Sequence, residues 1–172
     1  MSDAEERIHY FAYGANVHPG WLKRRIPSAQ LIGAGLLPGY CLAFRKRGRD
    51  GAARSDACAS DEPGARLPGA VYLLREQELA QLGAAGAGYH TRVVRVTVAG
   101  EPLQATTWVA APAEIAAGLL PWDWYVALIR AGAELLDLPL AHRRWLDSVQ
   151  TAADPDPDRV ALARAVIAAR GC

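Results

Sequence analysis

Apolar and aromatic residues crowd the stretch from Ile8 to Tyr13 and stop at Gly14, which predicts a first strand ended by a tight turn. Pro19 to Arg25 predicts a short helix opened by its proline. Ala29 to Leu37 and Gly39 to Phe44 predict two further strands. Arg45 to Pro68 is rich in Gly, Arg, Asp and Pro and reads as a long loop, with one short strand embedded at Ala57 to Ser60. Gly69 to Leu74 predicts another strand, and Arg75 to Leu82 has helical spacing with Leu79 and Leu82 on one face. Tyr89 to Val98 and Leu103 to Val109 alternate apolar and polar positions and are separated by Ala99, Gly100, Glu101 and Pro102, the pattern of a hairpin. After a connection from Pro112 to Pro121 the period changes. Asp123 to Leu136, Leu140 to Gln150 and Val160 to Arg170 predict helices, the last with Asp158 as N-cap.

Strands dominate the first two thirds and helices the last third, a segregation that predicts an α+β fold instead of a doubly wound sheet. Apolar residues make up 51% of the chain and charged residues 22%, enough for one domain over residues 1–172. The core is expected within 8–158, with a C-terminal helix over 159–170. The net charge of +1 gives no electrostatic case for nucleic acid or a membrane surface as a partner. The expected partner is a small-molecule substrate, and the sequence leaves the oligomeric state open. Arg45, Lys46, Arg47 and Arg49 form a short basic run, read as a solvated loop with an anionic ligand or phosphate as the alternative. Met1 to Arg7 lacks the apolar core of a leader, and no segment is long and apolar enough to span a bilayer, so the protein is expected to be cytoplasmic. Cys41, Cys58 and Cys172 are odd in number and widely spaced, which suggests neither a disulfide framework nor a zinc site. No His or carboxylate pair has metal-ligand spacing, and no metal or other cofactor is expected.

The most informative stretch is Tyr10-Phe11-Ala12-Tyr13-Gly14-Ala15-Asn16. A strand that ends in small residues lets backbone N–H groups approach a ligand, and Asn16 adds a side-chain donor. Such a loop can hold a carboxylate or a developing oxyanion. The alternative is a strand-to-helix turn in which Asn16 satisfies the local backbone. Strand alternation puts Asp56, Cys58 and Ser60 on one face, and Cys58 is a candidate nucleophile or base, or else a small packed thiol. His18 follows the loop, within possible reach of a ligand or as a polar residue at a helix start. Trp21, Trp108 and Trp145 read as packing residues.

The stretch Tyr13 to Asn16 resembles the Tyr-Gly-Ser-Asn loop of the gamma-glutamyl cyclotransferase-like superfamily, with Ala15 where serine is usual. The resemblance continues through His18-Pro19, Leu36 to Tyr40, Leu42 to Phe44, Pro63 to Ala65, Gly69 to Tyr72, Tyr89 to Val98 and Pro121 to Ala133. It implies a mixed β-barrel of about six strands with surrounding helices and a pocket at the end of the first strand. It also implies substrate binding by Tyr13, Gly14, Ala15, Asn16 and Tyr89. Tyr125 matches a tyrosine placed over the pocket and, with Cys58, is a candidate catalytic residue.

In that family the substrate's own α-amine attacks the γ-carbonyl, closes to 5-oxoproline and expels an amine. The resemblance implies that a glutamate in a Leu-Asp-x-x-Glu-Gly motif takes the proton. Here the corresponding stretch runs from Leu82 to Tyr89, with Gly83 at the aspartate position and Gly86 at the glutamate position. No Asp or Glu occurs between Glu78 and Glu101. The expectation is a divergent enzyme that acts on a small amino-acid-derived or gamma-glutamyl-type substrate by acyl transfer or cyclisation without this base. The alternative is a non-catalytic binding or accessory protein that retains the pocket.

Overall fold

A computed structural model of the chain describes residues 6–169, without the side chains of Ala84 and Ala85. Cys172 therefore lies outside the described residues. The strands are β1 (Arg7–Ala12), β2 (Gln30–Pro38), β3 (Tyr40–Arg47), β4 (Ala53–Ala59), β5 (Arg66–Arg75), β6 (Tyr89–Val98) and β7 (Glu101–Ala110). The helices are α1 (Pro19–Lys23), α2 (Glu76–Ala85), α3 (Asp123–Leu135), α4 (Leu140–Ser148) and α5 (Pro157–Ala168), and a 3-10 turn covers Ala15–Val17. The architecture is α+β, as the segregation of periods predicts.

The barrel closes in the order β1-β5-β2-β6-β7, with five strands, while β3 and β4 form a separate two-stranded sheet. Strand-rich sequence alone does not tell which strands share a barrel, and this accounts for the larger count expected above. β6 and β7 pair from Tyr89↔Ala110 to Val98↔Glu101, so the connection is a two-residue turn at Ala99 and Gly100, both with positive φ. That is the backbone a tight hairpin turn requires. Closure occurs where β1 runs parallel to β7 at Tyr10↔Thr106.

Alternation along β1 divides its side chains between two cores. Phe11 and Tyr13 pack with Val71, Val94 and Val96 and with Leu128 and Ile129 of α3. Tyr10 and Ala12 pack with Tyr72 and Leu74, and with Leu22, Ile26, Leu79 and Leu82 from the α1 and α2 regions. The N-cap of α5 is Asp156, whose carboxylate accepts from the N–H groups of Asp158 and Arg159, two residues earlier than expected. The preceding Asp-Pro repeat offers several chemically equal caps, and Pro157 at the first helical position selects this one.

Candidate functional site

A cavity of about 360 Å³ opens where β1 ends. Tyr13, Gly14, Ala15, Asn16, Tyr89 and Tyr125 all line it, which brings together every expected binding residue. The 3-10 turn makes its first hydrogen bonds from Val17 to the Gly14 carbonyl and from His18 to the Ala15 carbonyl. The N–H groups ahead of them, at the start of the turn, have no partner within it. Asn16 donates through Nδ2 to the Tyr10 hydroxyl at 3.1 Å, while its Oδ1 is buried without a hydrogen-bond partner.

Ser55 of β4 organises the opposite side. Its Oγ lies 2.7 Å from the Tyr125 hydroxyl, its N–H donates to the same oxygen at 3.2 Å, and its carbonyl accepts from the Tyr89 hydroxyl at 2.7 Å. Strand and helix are thus joined by side chains 70 residues apart. Gly14 completes the contact. A Cβ at that position would stand 2.3 Å from Ser55 Oγ and 3.0 Å from the Tyr125 hydroxyl. The glycine is required by space, since its φ of −98° is open to any residue.

Tyr10, Tyr13 and Tyr89 keep their phenolic protons at neutral pH. Burial pushes Tyr10 up to about 12. Burial likewise raises Tyr89, and raises Tyr13 with help from the charge of Asp56. The Tyr13 hydroxyl donates to the Trp108 carbonyl on β7, fixing the loop against the barrel.

Gly83 and Gly86 also line the cavity, so the segment where the resemblance places two carboxylates is part of the wall. Asp50 is the lining residue with a carboxylate, and it is engaged: Arg54 donates at 2.6 Å, Trp122 Nε1 at 3.0 Å and the Ala52 N–H at 3.3 Å. Burial opposes its ionisation, but these donors prevail and hold it below the usual carboxylate range. A carboxylate so held is a weak proton acceptor. Cations predominate instead, with Arg25, Lys46, Arg49 and Arg54 in the lining. Lys46 is 4% exposed.

Cys58 is not among the lining residues. It pairs across the β3–β4 ladder with Cys41, and its thiol donates to the Ala59 carbonyl at 3.6 Å. The face shared by Asp56, Cys58 and Ser60 does not line the cavity. Asp56 is fully buried between the Ala110 N–H and Arg45, while its neighbour Ser55 reaches the cavity. Alternation holds along β4, with Asp56 and Cys58 on one face, but the face turned to the cavity is that of Ser55. We therefore expect Cys58→Ala to leave ligand binding and any turnover within about twofold, since surface changes remote from a site are typically small. A loss of tenfold or more in a folded protein would return Cys58 to the site.

His18 is buried at the N-cap of α1, outside the cavity lining. Trp21 and Trp108, read as packing residues, do line the cavity, whereas Trp145 stacks on Phe44 at 6.1 Å. Ser55, Lys46, Asp50 and Arg54 were not singled out individually. Among the described residues no cluster of His, Cys, Asp and Glu fits a metal ion, and no helix is long and apolar enough to cross a membrane.

No protein-family model matches the chain, and no curated protein does. Solved structures do. One described as gamma-glutamyl cyclotransferase is 20% identical, with 93% of this chain and 99% of that chain covered at a TM-score of 0.80. An uncharacterized protein from Homo sapiens is 21% identical over 93% and 99% of the two chains, at a TM-score of 0.79. A yeast gamma-glutamyl cyclotransferase specific to glutathione is 10% identical over 91% and 96%, at a TM-score of 0.64. At these identities the likeness is one of fold.

Proposed function

We propose that this chain, which has the gamma-glutamyl cyclotransferase-like fold, is an enzyme of acyl transfer or cyclisation acting on a small amino-acid-derived or gamma-glutamyl-type substrate without the glutamate base. The observation that carries this reading is the convergence of the Gly14 loop with the Ser55–Tyr125 hydroxyl pair in one cavity. The loop N–H groups would receive a carboxylate or the oxyanion formed at the attacked carbonyl. The hydroxyl pair can hand a proton to the departing amine while accepting one from the attacking amine, so that the transfer balances without a carboxylate. Tyr89 fixes Ser55, and Tyr125 is the group in contact with the reacting atoms. Cys58 has no part in this scheme because it stands outside the cavity.

The attacking amine must then arrive as the free base. Release of 5-oxoproline from gamma-glutamyl dipeptides at pH 7 should be at least ~10²-fold slower than in an enzyme with the glutamate. The rate should climb with pH through the α-amino range near ~8. Full-speed turnover at pH 7 with a flat profile above it would refute the scheme. A binding protein without turnover is the second reading, supported by the engagement of Asp50 with Arg54 and Trp122. Tight binding of gamma-glutamyl compounds with no product at any pH would favour it.

A further inference from the structure

The wall beside the turn from Gly86 to Tyr89 carries a lysine where the fold's resemblance implies an acid. Lys46 extends from β3 and donates to the Ala87 carbonyl at 2.7 Å, with its ammonium 5.0 Å from the centre of the Tyr89 ring. An ammonium has three N–H donors, and only this one has an oxygen partner among the described residues. No carboxylate there comes within ion-pairing distance of it. Asp50 pairs with Arg54. Glu114 approaches Gly88 from the same side as Lys46 and acts on its charge without a direct bond.

Burial is the largest influence on Lys46 and lowers its pKa; the charge of Glu114 raises it, and Arg54 and Arg49 lower it again. The Arg49 side chain is exposed, with no ion pair or hydrogen bond among the described residues. A buried cation with unmet donors next to other cations is costly unless an anion joins it.

We propose that this wall binds a second anionic group of the ligand, a carboxylate or a phosphate, through Lys46, with Arg49 supplying positive field at the rim. The proposal rests on the reading of the cavity as a substrate site. It narrows the substrate class to acidic derivatives, such as a gamma-glutamyl unit joined to an acidic amine, and away from neutral amines.

The test compares probes on the full chain at matched ionic strength. Inorganic phosphate and glutarate should each raise the melting temperature above that in sodium chloride, because a ligand that binds only the native state stabilises it. The probe with the larger shift identifies the preferred anion. In calorimetric titration, gamma-glutamyl-glutamate should bind about tenfold more tightly than gamma-glutamyl-ethylamide, a charge-assisted hydrogen bond being the difference. Lys46→Gln should reduce that preference to less than about twofold and remove the phosphate shift. Lys46→Met, which keeps the apolar stem, serves as a second variant should the glutamine protein misfold.

Equal binding of the two gamma-glutamyl compounds, with no shift in phosphate or glutarate, overturns the anion site and leaves the proposed function standing. A shift in phosphate that depends on Lys46, with neither gamma-glutamyl compound bound, supports the anion site and refutes the substrate reading. A preference unchanged by both Lys46 variants overturns the assignment to Lys46.

Discussion

Gly14→Val should abolish ligand binding. Even the first carbon of the new side chain would meet Ser55 Oγ at 2.3 Å and the Tyr125 hydroxyl at 3.0 Å, and valine adds two methyl groups to that collision. Either the loop withdraws from β4 or Ser55 and Tyr125 separate, and both outcomes dismantle the cavity. Overpacking of this kind costs about 1–3 kcal/mol, so the protein should fold with a lowered melting temperature. Titration with the gamma-glutamyl compounds should show no saturable binding, and the circular dichroism spectrum should stay native. Gly14→Ala combined with Ser55→Ala should recover part of the binding, since it removes the atom at 2.3 Å and leaves only the Tyr125 hydroxyl at 3.0 Å and the Ser55 Cβ at 3.4 Å. Native affinity in Gly14→Val would show that ligands do not use this loop.

The two glycines at the positions where the resemblance implies acids, Gly86 and Gly83, should differ sharply in how they accept a carboxylate. A Cβ on Gly86 would lie 3.5 Å from the Leu82 carbonyl and 3.7 Å from the Tyr89 ring, ordinary contacts, and its φ of −109° suits any residue. Gly86→Glu should therefore fold normally and raise 5-oxoproline release on the order of 10²-fold, within the range a positioned base supplies. The new carboxylate shares a wall with Lys46 and will tend to pair with it, which lowers its basicity. Gly86→Glu combined with Lys46→Met should accordingly be faster than Gly86→Glu alone. Gly83→Asp has no such room, because its Cβ would stand 2.2 Å from the Trp108 ring. It should destabilise the chain by about 1–3 kcal/mol and gain no activity. A stable Gly86→Glu protein with unchanged rate would show that a carboxylate at position 86 is not what limits this site.

Much of this was legible where the signal is local. The hairpin of β6 and β7 follows from the alternation of apolar and polar positions, and Tyr89 is placed within it to the residue. The loop from Tyr13 to Asn16 is readable because a strand ending in Gly-Ala-Asn has few structural uses. The other half of the site is held by distant partners and leaves no local trace. Ser55 gains its place from Tyr125, and Lys46 gains its place from Ala87. Both lie in a segment whose Arg, Gly and Asp content imitates a loop, although Arg45 and Asp56 form a buried-to-surface ion pair inside a paired sheet. Alternation groups Asp56 with Cys58 but does not tell that the Ser55 face is the one turned to the cavity.

The closure of the barrel has a mechanical consequence. β1 and β7 share a single paired position, Tyr10 with Thr106, and the joint is otherwise held by side chains, Thr107 Oγ1 donating to the Phe11 carbonyl at 2.8 Å and Tyr13 to Trp108. Tyr10 and Asn16 line the cavity on one side of that joint, Thr107 and Trp108 on the other. A molecule seated there straddles one of the two joints of the cylinder that hold by a single paired position, the other being β2 with β6 at Leu36 and Thr97, and acts as a clasp across it. Occupancy and integrity of the barrel are then one equilibrium: whatever fills the cavity also keeps these staves together, and slows the amide hydrogen exchange of β1 and β7.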